Sequence, residues 1–226
     1  MDQKCASIPP GAARQTGSVS GEVMAIVPCG EPILRRRAEP VDPATIGDRE
    51  VQRLIARMKA TMEAAPGVGL AAPQIGEPIR LAVLEDGPER WSQLTPDQLL
   101  ERDRRAVPFT VLVNPVLVPV DGSDSVSFYE GCLSVPGLTG VVARHRSVHV
   151  KALDEHGDPR SWTLSGWPAR IVQHEVDHLD GVLYLDRVET RSLSTTDVYL
   201  QRWAHRRVLE ASAALGFRGS SEEVHG

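Results

Sequence analysis

The stretch GWPARIVQHEVDHLDG, residues 166–181, decides how the rest of the chain is read. Proline near the first turn and glycine at the end mark an α-helix that starts near Gly166 and stops at Gly181. Trp167, Ile171, His174 and His178 fall on one face at helical spacing, and Val172, Val176 and Leu179 fall on another. A helix that is apolar on two faces is buried, so this one carries two histidines inside the molecule. At i and i+4, His174 and His178 point from the same face and can share one metal ion. Glu175 lies beside that ion, where it can take a proton from bound water. Two histidines hydrogen-bonded in a core are the plainer account; their register on a buried helix, with Glu between them, favours the metal.

The segments upstream read mostly as strands. IRLAVLE (79–85), FTVLVNP (109–115), VLVPV (116–120), VSFYEG (126–131), VHVKALD (148–154) and SWTLSG (161–166) are β-branched runs bounded by Gly, Pro and Asp. DEHG at 154–157 is a hairpin turn. The polar stretch between the first two strands is too long for a plain turn and reads as a surface loop with a helical piece. Before the strands, Asp42-Pro43 offers a helix start. Val51, Leu54, Ile55, Met58 and Met62 continue it as one apolar stripe, ending at Pro66-Gly67. STTDVYLQRWAHRRVLEASAALGF, from Ser194, reads as a further amphipathic helix. The fold class expected is therefore α+β: antiparallel strands packed around a central metal-binding helix, with an N-terminal helix and a C-terminal helix. The domain boundaries expected are a polar arm over 1–22, a catalytic domain over 23–216 and a polar tail over 217–226.

Composition narrows the function. The chain has 226 residues, 41% hydrophobic and 24% charged, near the soluble globular average and unlike a disordered chain. No window approaches 18 consecutive apolar residues, so no membrane span is expected. A net charge of -5 and 4% aromatic residues argue against DNA binding and base stacking. Three cysteines, Cys5, Cys29 and Cys132, are an odd number without C-x-x-C spacing, which excludes a disulfide scaffold and a four-cysteine zinc site. The first 22 residues lack the apolar core of a secretory signal. A cytoplasmic location with reduced thiols follows as the expectation.

The third ligand decides the chemistry. In the extended motif H-E-x-x-H-x-x-G-x-x-H, Gly181 stands in place, but Tyr184 occupies the third histidine position. Glu189 and Glu210 follow the helix without supporting context. Cys132, in Glu130-Gly131-Cys132-Leu133-Ser134, remains as donor. A lone cysteine on an apolar strand is ordinarily core filler, but a two-histidine helix needs a third donor. The expected first shell is a thiolate and two imidazoles, with a fourth position open for water. A third segment, GVGLAAPQIG (67–76), has glycines that let a backbone approach a ligand and small residues that leave room for Gln74 to reach inward. It lacks the Lys-Ser/Thr ending of a phosphate loop.

GVGLAAPQIG, EGCLSVPG and QHEVDHLDG, in this order and spacing, resemble the three motifs of the peptide deformylases, from about residue 24 to about 190. The resemblance implies that Cys132, His174 and His178 hold one divalent metal, ferrous iron in this family, with Zn2+, Ni2+ or Co2+ as substitutes in purified protein. It implies that Glu175 is the general acid/base and that the Gln74 amide and the Leu133 backbone N–H are oxyanion donors. Val68, Gly69 and Gly131 would bind substrate, the segment around Val68 and Gly69 pairing with it as an added strand. The substrate would be N-formylmethionyl nascent polypeptides, the reaction release of formate, and the methionine pocket partly built from the metal-bearing helix. Arg170 and Ile171 lie on that helix's incoming turn, where an arginine lining the pocket would send its charge outward. Thiolate ligation weakens the metal as a Lewis acid, a reason to expect iron over zinc.

Two other functions share these residues. A metallo-endopeptidase of the H-E-x-x-H type uses the same metal geometry but takes a third His or Glu rather than Cys. A metal-stabilised binding module would need neither Glu175 nor Gln74. On the C-terminal helix, Arg202, His205, Arg206 and Leu209 would share one face, flanked by Arg207, and similar deformylases are thought to dock at the ribosome through such a helix. A weak ribosome contact is the corresponding expectation, weighed against a merely solvated basic face.

Overall fold

The computed structural model describes residues 21–92 and 94–219; the remainder of the N-terminal arm and the tail from 220 lie outside the described residues. In chain order the elements are α1 (Arg49–Ala64), β1 (Gly69–Ala71), β2 (Leu81–Asp86), α2 (Pro96–Glu101), β3 (Val107–Pro119), β4 (Ser125–Cys132) and β5 (Val135–His145). They continue with β6 (Ser147–Leu153), β7 (Pro159–Ser165), α3 (Gly166–Leu179), β8 (Ser194–Thr195), α4 (Thr196–Arg202) and α5 (Val208–Leu215). Every strand pair is antiparallel, in a five-stranded sheet ordered β1-β2-β3-β6-β7 and a three-stranded sheet ordered β4-β5-β8. The α+β expectation holds.

Helix α1 buries the stripe read from its spacing: Ile55, Met58 and Met62 are in the core, and Val51 and Leu54 pack partly buried against it. Its start is later than Asp42-Pro43 implied. The Asp42 side chain accepts from the Ala44 N–H and caps only a single 3-10 turn, Pro43–Thr45. Gly47 follows, and the helix restarts from Asp48.

Two strand readings change. The runs at 109–115 and 116–120 are one strand, β3, kinked rather than broken. Its register shifts between Val113 and Val116, where Asn114 adopts φ 52°. That side chain satisfies both backbone groups of Val41, at 2.9 and 2.8 Å, which holds the kink. The second change is β5, which Pro136, Gly137 and Gly140 hide from any strand pattern. It pairs with β4 across the two-residue connection Leu133–Ser134, with Cys132 opposite Val135 but Gly131 opposite Thr139. Residues 136–138 therefore stand off the β4 ladder, while Leu138 pairs with Thr195 of β8. The 154–157 turn does close the β6–β7 hairpin, with the Gly157 N–H on the Asp154 carbonyl at 3.0 Å.

Helix α3 packs against strands of both sheets, and eleven of its 14 residues are buried. Its buried polar groups must therefore find partners. The Gln173 amide exchanges hydrogen bonds with the His145 backbone, at 3.1 and 2.8 Å, and locks the helix to β5. At the other end, Arg80 donates to the Leu179 carbonyl at 3.2 Å and to Asp180 at 2.7 Å, a cation on the helix's negative end. Gly181 has φ +77°, and a Cβ there would stand 2.7 Å from the Arg35 carbonyl oxygen, so only glycine fits this stop.

The C-terminal helix is two helices. Tyr199 O accepts from the Trp203 N–H, and Gln98 Nε2 donates to the Ala204 carbonyl at 2.6 Å where the chain turns away. Arg207 then opens α5, its N–H capped by Glu210 at 3.2 Å. The bend lets Trp203, Val208, Ala211 and Phe217 join one hydrophobic cluster with Val141. Arg202 consequently ends α4, His205 and Arg206 lie in the link, and Leu209 lies in α5, so the expected common face does not form.

Candidate metal centre and active site

Cys132 ends β4 just before its turn, and α3 carries His174 and His178 beneath it. The three donor atoms lie within 4.8 Å of one another, with Cys132 Sγ 3.2 Å from His178 Nε2. A tetrahedral ion with metal–sulfur bonds of ~2.3 Å and metal–nitrogen bonds of ~2.0–2.1 Å separates such donors by about 3.6 Å. The donor set and its spacing fit one divalent metal.

The two histidines are supported differently. His174 Nδ1 lies 3.0 Å from Glu130 Oε2, which turns its other nitrogen toward the thiol. His178 Nδ1 is buried without a protein partner among the described residues. Burial works against charge on His174, but the Cys132 and Glu130 partners outweigh it and raise its pKa well above the ordinary value. Burial and the neighbouring His174 charge push His178 the other way. A site that draws a proton between thiol and carboxylate also favours a cation at its centre.

Glu130 is the hub of a buried network. Arg144 grips it with two nitrogens, at 2.6 and 2.8 Å, and reaches Asp177 on α3 at 2.8 Å. Arg187 pairs with the same Asp177 through two 2.8 Å bonds. Arg170 Nη1 donates to Glu130 Oε1 at 2.5 Å and to the Val142 carbonyl at 3.0 Å. Its charge thus turns inward to the carboxylate, where the sequence reading expected it to point outward. Burial alone would raise the Glu130 pKa; the two arginines and His174 hold it well below the usual carboxylate range.

Glu175 sits apart from this network. It is buried, and its Oε2 has no protein partner among the described residues. Burial is the leading cause that raises its pKa to about 7, suited to passing a proton both ways near neutral pH. Gly69 on β1 makes its position possible: a Cβ there would lie 2.2 Å from Glu175 Oε1. Nearby, Gln74 Oε1 accepts from the Ala71 N–H at 2.9 Å, so its NH2 group faces Cys132 Sγ at 3.5 Å and Ser134 Oγ at 3.3 Å. Leu133 packs across Gly67, where a Cβ would meet its Cδ1 at 2.9 Å.

Gln74, Glu130, Cys132, His174 and Glu175 line one cavity of about 650 Å³, which also reaches Val68, Gly69, Gly131, Leu133, Arg170 and Ile171. β1 is an edge strand of its sheet and borders the cavity, a template for one more strand. The displaced residues 136–138 also line the cavity. Eight of the nine residues singled out in the sequence line this cavity, and the ninth, His178, lies 3.2 Å from the Cys132 sulfur. Those missed are its supports: Glu130, Gln173 and Asp177 stood inside quoted motifs without a role, although a metal-bound histidine calls for an outer carboxylate. Nothing in sequence pointed to Arg144.

A Cys-His-His donor set, an open cavity beside it and a buried carboxylate near the donors define a metal-dependent hydrolase. The sequence model described as "Polypeptide deformylase" matches residues 23–193. "Peptide deformylase 3" of Streptomyces avermitilis is 48% identical over 219 residues, 96% of this chain and 94% of that protein. The human "Peptide deformylase, mitochondrial" is 41% identical over 170 residues, 75% of this chain and 69% of that protein. Among solved structures, the Met-Ala-Ser-bound class I type b peptide deformylase from Acinetobacter baumannii has a TM-score of 0.66 at 35% identity, covering 74% of this chain and 99% of that one. The chain belongs to the peptide deformylase family, metal-dependent hydrolases that remove the N-formyl group from nascent peptides. Nothing in these relationships points to an endopeptidase.

Proposed function

We propose that deformylation in this chain is carried by Glu175, Gln74 and Leu133 around an ion held by Cys132, His174 and His178. The supporting observation is the buried Glu175 carboxylate, lodged over Gly69 in the cavity that Cys132 and His174 line, with His178 3.2 Å behind the Cys132 sulfur. When bound, the ion supplies Lewis-acid polarisation of a carbonyl and a lowered pKa for water. Glu175 takes the proton from the attacking water and returns it to the departing amine. The Gln74 NH2 group, aimed across the cavity by its bond to Ala71, and the Leu133 backbone N–H hold the developing oxyanion. One such donor contributes about 2.7–4 kcal/mol. Val68, Gly69 and Gly131 align the substrate, with the backbone at β1 pairing with it as an added strand. The catalytic unit is read as residues 23–216, with Phe217 packed onto it just beyond that bound.

We assign Fe2+ as the native ion, because thiolate ligation suits a metal that need not be a strong Lewis acid. Zn2+, Ni2+ or Co2+ would occupy the same donors in purified protein. Anaerobic metal analysis, coupled to formate release from formyl-Met-Ala-Ser, tests the assignment; activity that follows zinc rather than iron content would overturn it. A cytoplasmic location agrees with a thiol ligand that must stay reduced, and no helix among the described residues is long and apolar enough to cross a membrane. We also propose weak ribosome attachment through the link between α4 and α5, where Arg202, His205, Arg206 and Arg207 are all exposed.

A further inference from the structure

Three guanidinium groups surround the ring of Trp167 at the start of α3. Arg102 and Arg104 both lie 5.1 Å from its centroid, and Arg170 lies 5.9 Å away. Two of them have carboxylate partners. Arg104 is held by Asp86 through bonds of 2.8 and 2.9 Å, and Arg170 by Glu130 at 2.5 Å. Arg102 makes no salt bridge among the described residues, although it is half-buried and lines the active-site cavity with Trp167 and Tyr199.

Its backbone is fixed from two sides. The Arg102 N–H closes α2 on the Gln98 carbonyl at 3.2 Å, and the Arg102 carbonyl accepts from the Trp167 N–H at 2.9 Å. Gln98 in turn ties α2 to the Ala204 carbonyl. The long connection between β2 and β3 therefore delivers, from a fixed backbone, a cation without a salt-bridge partner among the described residues to the wall of the cavity. A half-buried guanidinium without a counter-ion favours an anion in reach. The occupant of this cavity is the first few residues of a polypeptide, and the anions that such a segment carries are Asp and Glu side chains.

We infer that Arg102 is a specificity-determining residue that receives the carboxylate of an acidic side chain close behind the formyl-methionine. This deepens the deformylase reading and rests on it. The contact is made alike in ground state and transition state, so it lowers KM and leaves kcat nearly unchanged.

The test uses formyl-Met tetrapeptide amides, whose C-terminal carboxylate is removed, with Asp or the isosteric Asn at position two, three or four. For the wild-type enzyme, at least one position should favour Asp over Asn by about three- to tenfold in kcat/KM, the range of one partly screened charge-assisted bond. The ratio should shrink with added salt, fall to about one in Arg102→Gln, and be partly retained in Arg102→Lys. No Asp preference at any position, or one that survives Arg102→Gln, would overturn the inference. Calorimetric binding of the deformylated Met peptides gives the same ratio without turnover. If formate is released from none of the peptides, the activity reading fails, while the calorimetric ratio still decides the role of Arg102.

Discussion

Glu130 Oε2 lies 3.0 Å from Nδ1 of His174, and the same carboxylate is gripped by Arg144 and Arg170. One buried acid thus orients a candidate metal ligand, ties β4 to β5 through Arg144 and anchors α3 through Arg170. The metal centre and the packing of α3 share this group, so they should fail together. Glu130→Gln is expected to weaken metal affinity about 10- to 100-fold, the usual effect of losing an outer-shell carboxylate. Leaving the buried Arg170 without its carboxylate, and Arg144 with Asp177 alone, should also cost about 3–5 kcal/mol of stability. Competitive metal titration and denaturant unfolding read the two effects; a loss in one without the other would separate the functions joined here.

Gly69→Ala tests the room left for Glu175. The added methyl would meet the carboxylate at 2.2 Å, so Glu175 must swing away while Cys132, His174 and His178 stay in place. The variant should fold and bind metal normally, yet lose on the order of 100-fold or more in formate release, the contribution of a general base. Near-wild-type turnover would show that the carboxylate works equally well from another position.

The pH dependence of stability should report Asp154 in the β6–β7 turn. Its burial alone would raise the carboxyl pKa, but the N–H groups of His156 and Asp158 and the Arg160 guanidinium outweigh that and lower it. A folded pKa below the unfolded value of ~3.9 means that the contribution is complete above that value and is lost as pH falls through the folded one. Asp154→Asn keeps an acceptor but loses the charge, and Arg160 is partly exposed, so the cost at neutral pH should be about 1 kcal/mol. Urea unfolding of both proteins between pH 7 and 3 should show that gap closing in acid; parallel curves would contradict the assignment.

The proposed ribosome contact predicts that Arg202→Glu with Arg206→Glu abolishes co-sedimentation with ribosomes at low salt, while hydrolysis of a short formyl-peptide is unchanged. Arg206 already faces Glu210 at 3.5 Å across an exposed surface, a weak pair that phosphate should displace. Unaltered co-sedimentation would remove this basic link from the account.

The site was legible in sequence because its chemistry is written in short motifs. His174, Glu175 and His178 are set by helical spacing, Cys132 by the need for a third donor and Gln74 by its small-residue loop; the resemblance of the three motifs added Leu133 and the oxyanion roles. The α3 boundaries followed from Pro168 and Gly181. What was not legible depends on pairing between elements rather than on local propensity. β5 carries Pro136 and two glycines and is held as a strand by β4 rather than by propensity. The C-terminal segment keeps helical periodicity through its break, which is set by packing in the cluster with Val141 and by Gln98 from a distant element. Arg170 turned inward because Glu130, 40 positions away, outcompetes solvent. Apart from β4, which directly precedes β5, none of these partners is a neighbour in sequence.

Glu175→Gln puts the central claim to the most direct test. The substitution keeps Cys132, His174 and His178 and removes only the carboxylate's ability to accept a proton. Purified anaerobically, it should hold as much metal per chain as the wild type and release formate from formyl-Met-Ala-Ser about 100- to 10,000-fold more slowly. Full metal content with a near-wild-type rate would contradict the account.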